Sequence, residues 1–372
     1  MSLKYKIVKD ALLKIFDDDN YRNGDQLPTE FELMDKYGFS RYTIRQALEE
    51  LEKDGIIERI HGRGSFFIGK PDVSRESISG ERKEQKGFIG MVNFYSHDYI
   101  YPDIMRGIED TIYANGYSLV LSNCNQDYSK ELESVRRLID QGVKGLIIEP
   151  SRNSQITDNH PLLSLLRGAG IPVVTTNWNS KVKNFSMVTI DDVKCGYDAI
   201  NYLLEKGHRK IGIIYKYDVQ AGRDRFDGYI KALNDASIEV NDQYIKHYSD
   251  LEEFQYSEQG YKLTSQMLSG SPDPPTAIFY FNDNVALQGY RAIKDCGFRI
   301  PEDISVVGFD DYKSSTLLSP PLTTFEHPKY AMGRWAAYIL LEELEPSHRP
   351  MPKQMIFEPP FIERESVRDL LI

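Results

Sequence analysis

The chain has 372 residues, 41% of them hydrophobic and 27% charged, with a formal net charge of -11. That length fits one small and one larger domain with real cores, and no apolar run is long enough to span a membrane, so no membrane partner is expected. The acidic balance excludes a protein that coats DNA by bulk charge. Cys124, Cys195 and Cys296 are odd in number, far apart and without metal-ligand spacing. They read as packing residues in a reducing cytoplasm, with no disulfide framework, metal or other cofactor, and no secretory leader is seen at Met1.

In chain order, Ile7, Val8, Ala11, Leu12, Ile15 and Phe16 form the stripe of a first helix. Lys4 and Tyr5 lie at its start, placed to reach a nucleic acid. Asp17-Asp18-Asp19-Asn20 should stop it, because acidic residues oppose the dipole at a helix C-terminus. Thr29-Glu30-Phe31-Glu32 is a capping-box pattern opening a short helix through Tyr37, and Gly38-Phe39 is the turn after it. Ser40 is placed to cap a third helix, in which Ile44, Ala47, Leu48 and Leu51 repeat on one buried face. The other face offers Arg41, Tyr42, Thr43, Arg45 and Gln46, side chains that can donate to phosphates and base edges. After Gly55, Ile56 to Ile60 and Ser65 to Ile68 read as two strands with His61-Gly62-Arg63-Gly64 at the hairpin tip. Helix, turn, helix and basic hairpin make a winged helix-turn-helix. Its basic footprint is local: Lys4, Lys6, Arg41, Arg45, Arg59 and Arg63.

Leu27-Pro28-Thr29-Glu30, Ser40-Arg41-Tyr42-Thr43-Ile44-Arg45, Leu51-Glu52-Lys53-Asp54-Gly55 and Gly62-Arg63-Gly64-Ser65-Phe66 resemble the GntR family of bacterial transcription regulators over nearly all of residues 1–70. The resemblance implies DNA contact by Glu30, Arg41, Thr43, Arg45 and the wing tip His61, Gly62 and Arg63.

Residues 71–86 read as a linker between a head, 1–70, and a body, 87–372. Gly64 to Pro71 nearly matches a phosphate-binding loop, but Pro71 replaces the hydroxyl residue and a linker follows it, so no nucleotide is expected. Beyond Gly87, apolar strands alternate with helical patterns. The strands are Phe88–Val92, Ser118–Leu121, Gly145–Ile148, Pro172–Thr175, Lys210–Tyr215, Ala277–Phe281 and Ile304–Phe309; the helices include Ile104–Ala114, Glu131–Gln141 and Gly196–Lys206. This is an α/β pattern, and its length favours two doubly wound lobes with parallel sheets. Ligands of such sheets bind beyond the carboxyl ends of the strands. The residues there are polar and aromatic: Tyr95, Asp98, Tyr99 and Tyr101, then Glu149, Asn177, Asn282 and Asp310, with Arg225 opening a helix. Carboxylates, amides, a guanidinium and aromatic faces match a small polyol.

Gly207-His208-Arg209-Lys210-Ile211-Gly212, Arg225-Phe226-Asp227-Gly228, Phe281-Asn282-Asp283, Val306-Val307-Gly308-Phe309-Asp310-Asp311 and Pro321-Leu322-Thr323-Thr324 resemble the effector-binding domain of the LacI family, itself similar to periplasmic sugar-binding proteins. The resemblance runs from Gly87 to about Arg364. It implies effector contacts by Glu149, Asn177, Arg225, Asn282, Asp310 and His327, a core or hinge role for His327 standing beside the last. A GntR-type head on a LacI-type body resembles the bacterial arabinose-repressor family. That implies a homodimer on a palindromic double-stranded operator and L-arabinose as inducer, another pentose, a hexose or a nucleoside remaining the alternative. No Gly-x-Ser-x-Gly and no zinc-ligand spacing occurs, so an enzyme is not expected.

Overall fold

The computed structural model describes residues 4–17, 25–53, 55–60, 64–68, 85–93, 99–124, 127–178, 185–255, 258–270, 272–345 and 351–372. Its contacts divide the chain into Met1–Arg82 and Lys83–Ile372. Most of the expected linker, and the positions Tyr95, Asp98, His61, Gly62 and Arg63, lie outside the described residues.

The first unit holds α1 (Lys4–Asp17), α2 (Glu30–Tyr37), α3 (Arg41–Lys53), β1 (Ile57–Ile60) and β2 (Gly64–Phe67). The capping box is present: Glu32 N donates to Thr29 Oγ1 at 3.3 Å, and Thr29 N donates to Glu32 Oε2 at 2.7 Å. Gly38 ends α2 at φ 69°, the left-handed conformation that costs glycine little. Thr43 N donates to Ser40 Oγ at 3.4 Å, so Ser40 caps α3. Ile44, Ala47, Leu48 and Leu51 pack with Val8, Leu12, Phe16 and Leu33. Each large apolar side chain buried in this way contributes about 1.5–3 kcal/mol. β1 and β2 pair antiparallel, with Ile57 opposite Phe67. The three helices and the hairpin are those read from the sequence. The near-match to a phosphate loop begins on β2, a strand of the hairpin, and its residues 69–71 lie outside the described residues.

The second unit begins with β3 (Gly87–Asn93), α4 (Tyr101–Ala114), β4 (Tyr117–Asn123), α5 (Tyr128–Asp140), β5 (Gly145–Ile148), α6 (Pro161–Gly168), β6 (Val173–Thr176) and β7 (Ser186–Ile190). It continues with α7 (Asp192–Glu205), β8 (Ile211–Lys216), α8 (Gln220–Asp235), β9 (Ile245–Tyr248), α9 (Asp250–Gln255), α10 (Gln259–Ser269), β10 (Ala277–Tyr280), α11 (Asp283–Asp295) and β11 (Ser305–Val307). It closes with β12 (Thr324–Phe325), α12 (Lys329–Glu343), β13 (Gln354–Phe357) and β14 (Phe361–Ile362).

Two parallel sheets result, ordered β13-β7-β6-β5-β3-β4 and β11-β10-β8-β9. Each is the centre of a lobe. The chain passes between the lobes at Ile190–Asp192, Phe325–Lys329 and Phe357–Phe361. Each lobe contains a helix pair in close contact. In the first, a Cβ on Gly107 of α4 would stand 2.2 Å from Tyr330 O of α12, and one on Gly333 would stand 2.0 Å from Ile104 O. In the second, Gly196 of α7 and Gly228 of α8 are the matching pair, each with a backbone oxygen 2.2 Å from the missing Cβ. Side chains there would drive the helices apart.

The strands missing from the sequence reading are β7, β9, β13 and the short antiparallel pair β12–β14. β7 is buried throughout and β13 lies at a sheet edge, so neither shows a clean apolar–polar alternation. The expected Ile304–Phe309 strand shrinks to Ser305–Val307, because the chain turns at Gly308 toward Thr323 and then takes φ 106° at Asp310. Of the cysteines, Cys124 and Cys195 are buried, while Cys296 is only half-buried. No helix among the described residues is long and apolar enough to cross a membrane.

Candidate functional site

In the body, a cavity of ≈ 380 Å³ lies at the carboxyl ends of the strands. Tyr99, Tyr101, Glu149, Asn177, Arg225, Asn282, Asp310 and His327 all line it. Every effector position named from the sequence and described in the structure therefore meets in one place.

The first lobe supplies Glu149, just after β5. Tyr101 donates its hydroxyl to Oε1 at 3.3 Å and Asn177 donates Nδ2 to Oε2 at 2.9 Å. Burial pushes the carboxyl up to about 8 against those two hydrogen bonds, which favours the protonated form, able to donate as well as accept.

The second lobe supplies Arg225, from α8. Its Nε and Nη2 both reach Asp192 Oδ1 at 2.8 Å, and Nη1 donates to Phe281 O at 2.5 Å. The guanidinium lies 3.4 Å above the Phe309 ring. Burial raises the Asp192 carboxyl and Arg225 opposes it. A guanidinium has five N–H groups, so this geometry leaves two for a ligand. Asp310, at φ 106°, is held by its own N–H on Phe325 O at 3.0 Å. Its carboxylate is bonded to the Tyr99 hydroxyl. Asn282 spends its Oδ1 on capping α11, taking Val285 N at 3.0 Å. His327 is 5% exposed. Burial, with Lys329 and Arg225 near it, holds its ring neutral, and Nδ1 has no partner among the described residues.

The sequence reading missed Lys216, Asp192, Asn153 and Glu253, which share the lining. Lys216 is buried and donates to Asp250 Oδ1 at 2.6 Å and Glu253 Oε2 at 2.5 Å. It closes β8, so the rule that drew attention to Glu149 could have found it had the strand been carried one residue further. Trp178, next to Asn177, is core, at 2% exposed.

In the head, Glu30 gathers guanidinium groups. Arg41 Nε lies 2.8 Å, Arg59 Nη2 3.0 Å and Arg45 Nε 3.7 Å from its oxygens. Three cations around one carboxylate leave a net positive face at the start of α3. Tyr42 is 76% exposed there. The Thr43 hydroxyl contacts Ser40 Oγ at 3.0 Å. Tyr5 packs partly buried against the head core. Lys4 opens α1.

Comparison with known proteins now bears on both units. The model for bacterial regulatory proteins of the gntR family matches residues 4–67, and the model for the periplasmic binding protein-like domain matches residues 200–367. The chain is 32% identical to an arabinose metabolism transcriptional repressor of Geobacillus stearothermophilus, across 99% of this chain and 98% of that protein. It belongs to this family of transcriptional repressors. A second member, from Halalkalibacterium halodurans, is 30% identical across 99% of this chain and 98% of its own length. Among solved structures, a LacI family regulator from Enterococcus faecium with bound ribose superposes at TM-score 0.64 with 26% identity, covering 76% of this chain and 99% of that one. The repressor thus joins a gntR-type DNA-binding head to a LacI-type, sugar-responsive body.

Proposed function

We propose that this repressor controls sugar-utilisation genes in the cytoplasm as a homodimer on a palindromic operator, and that L-arabinose in the body releases it. Residues 1–70 read the operator, residues 71–86 link, and residues 87–372 bind sugar and dimerise. Arg41, Tyr42, Thr43, Arg45 and the wing meet DNA, with Lys4 and Tyr5 beside them and Glu30 orienting the arginines. The chain is a regulator and not an enzyme.

The carrying observation is that the cleft's cations are already neutralised. Arg225 is paired with Asp192, and Lys216 with Asp250 and Glu253. What remains on offer is hydrogen bonding from Glu149, Asn177, Arg225 and Asp310. That set suits a neutral polyol and disfavours a sugar phosphate, whose charge would meet no free cation among the described residues of the lining. A ligand spanning Glu149 and Arg225 favours the closed lobes by its differential affinity for the two states.

Calorimetry with L-arabinose on the wild type and Glu149→Ala, beside an operator-release assay, tests the reading. Binding and release should both weaken in the mutant, with operator affinity in the absence of sugar unchanged. Equal heats for the two proteins would remove Glu149 from the site. No heat with the wild type at millimolar L-arabinose would replace that sugar by another pentose, a hexose or a nucleoside, which the same titration would identify.

A further inference from the structure

The cleft is joined across both flanks by hydrogen bonds that sugar recognition does not require. On one flank Tyr99, from the first lobe, accepts from Asp283 N at 3.2 Å, and its single hydroxyl proton is shared between Phe309 O at 3.3 Å and the Asp310 carboxylate, all in the second. On the other flank a single 3-10 turn, Asn153–Gln155, reaches over from the first lobe. Ser154 Oγ donates to Tyr217 O at 3.2 Å, and Gln220 N donates to Asn153 Oδ1 at 2.6 Å.

The last bond has an unusual place. Gln220 is the first residue of α8, and Val219 before it provides no side-chain cap. A helix leaves its first N–H groups without internal partners. Here one of them is satisfied by a side chain of the opposite lobe. The amide orientation of Asn153 is fixed by chemistry, because its Nδ2 donates to Asn177 O at 3.2 Å while Oδ1 faces an N–H.

The loop that carries Asn153 also carries Glu149. Between them, Ser151 is anchored to the buried Glu131 of α5, its N–H on Oε1 at 2.7 Å and its hydroxyl on Oε2 at 3.0 Å. Arg152 then takes φ 45°, a left-handed conformation that persists only where the surroundings impose it. On the receiving side, α8 is seated against β8 because Gly222 has no Cβ, which would lie 1.9 Å from Lys216 O. Arg225 stands in the second turn of that helix.

We propose that Asn153 is a cross-lobe helix cap, a positioning residue that couples closure of the lobes to the seating of α8 and therefore of Arg225. Tyr99 is the matching clasp on the opposite flank. The proposal rests on the cleft being the effector site. A sugar bridging Glu149 and Arg225 favours the closed lobes, the form in which the cap already stands. The capped helix then holds Arg225 against the sugar, so cap and ligand favour the same state.

The test uses the full chain carrying Asn153→Ala or Asn153→Asp. Hydrogen exchange is followed in the first turn of α8 with no sugar added. It should quicken about fivefold in the alanine variant, the effect of losing a typical cap. It should return to the wild-type rate in the aspartate variant, whose carboxylate accepts the same N–H and suits a helix N-terminus. L-Arabinose should bind about fivefold more weakly to the alanine variant and within about twofold of wild type to the aspartate variant. Unchanged exchange in α8 on going to alanine would overturn the proposal. So would an aspartate variant as weak as the alanine one, which would assign the effect to the lost Nδ2 donation to Asn177 O and not to the cap. If the wild type gives no heat with L-arabinose, the sugar assignment fails, and the exchange measurement still decides the cap.

Discussion

The head and the body both build clusters of guanidinium and carboxylate groups, and they hold them in opposite surroundings. In the head, Glu30 meets Arg41 and Arg45, whose side chains are 60% and 52% exposed. In the body, Arg225 and Asp192 are each 5% exposed and share two 2.8 Å contacts. An exposed pair is worth little, so the head's arginines can leave Glu30 for phosphates and base edges at small cost. A buried pair cannot be exchanged in that way, because a lone charge in the interior is expensive. The head's charges are therefore available to a partner, while those of the body fix the shape a ligand must fit.

The sharpest way to break this contrast is to delete one member of each cluster. Arg225→Ala leaves Asp192 buried without its cation, and the body should lose about 3–5 kcal/mol of stability. The chain's two tryptophans, Trp178 and Trp335, both lie in the body, so tryptophan fluorescence during thermal melting reads that unit within the intact protein. A melt within a degree of wild type would show that the pair is no more than a surface pair in effect. Arg45→Ala should leave the same melt in place and weaken binding to the specific operator by about 1–3 kcal/mol, the value of a bidentate base contact. A gel-shift titration with unchanged affinity would exclude Arg45 as a base contact.

The two regions also differ in how far their residues could be read. The head's signals are local: the Thr29 capping box, the Ile44 to Leu51 stripe and the turn at Gly38 each lie within a few residues, and all appear in the structure. The cleft is assembled from distant segments. Glu149 and Asn282 were legible because a polar residue follows an apolar strand. Lys216 was not, because its partner Asp250 stands 34 residues away and a lysine ending a strand reads as solvent-facing. Asp192 looked like a helix-opening residue, and only the fold brings Arg225 to it. Asn153 sits in a polar stretch with no periodicity, and the positive φ values of Tyr99, Arg152 and Asp310 belong to non-glycine residues whose conformations tertiary contacts impose.

The comparison sharpens with pH, where the two surroundings predict opposite signs. In the head, the capping bonds from Thr29 lower the Glu32 carboxyl, so that contribution is present above the carboxylate's unfolded value and is lost on acidification. In the body, burial raises Glu149 to about 8, Glu131 to about 7 and Asp283 to about 8. A carboxyl raised on folding binds more protons in the native state than in the unfolded one. Its contribution is complete below the unfolded value near 4.5 and disappears as pH climbs through about 8. The body should therefore melt at lower temperature as pH rises from 7 to 8.5, with Glu149 alone accounting for about 1 kcal/mol over that interval. Glu149→Gln keeps the shape and one of the two accepting oxygens but cannot ionise, so its fluorescence-detected melting temperature should fall less steeply than the wild type's over the same range. The other buried carboxyls preserve part of the slope in both proteins. Parallel curves for wild type and Glu149→Gln would mean that Glu149 is ionised throughout, which would remove it as a proton donor to a bound sugar.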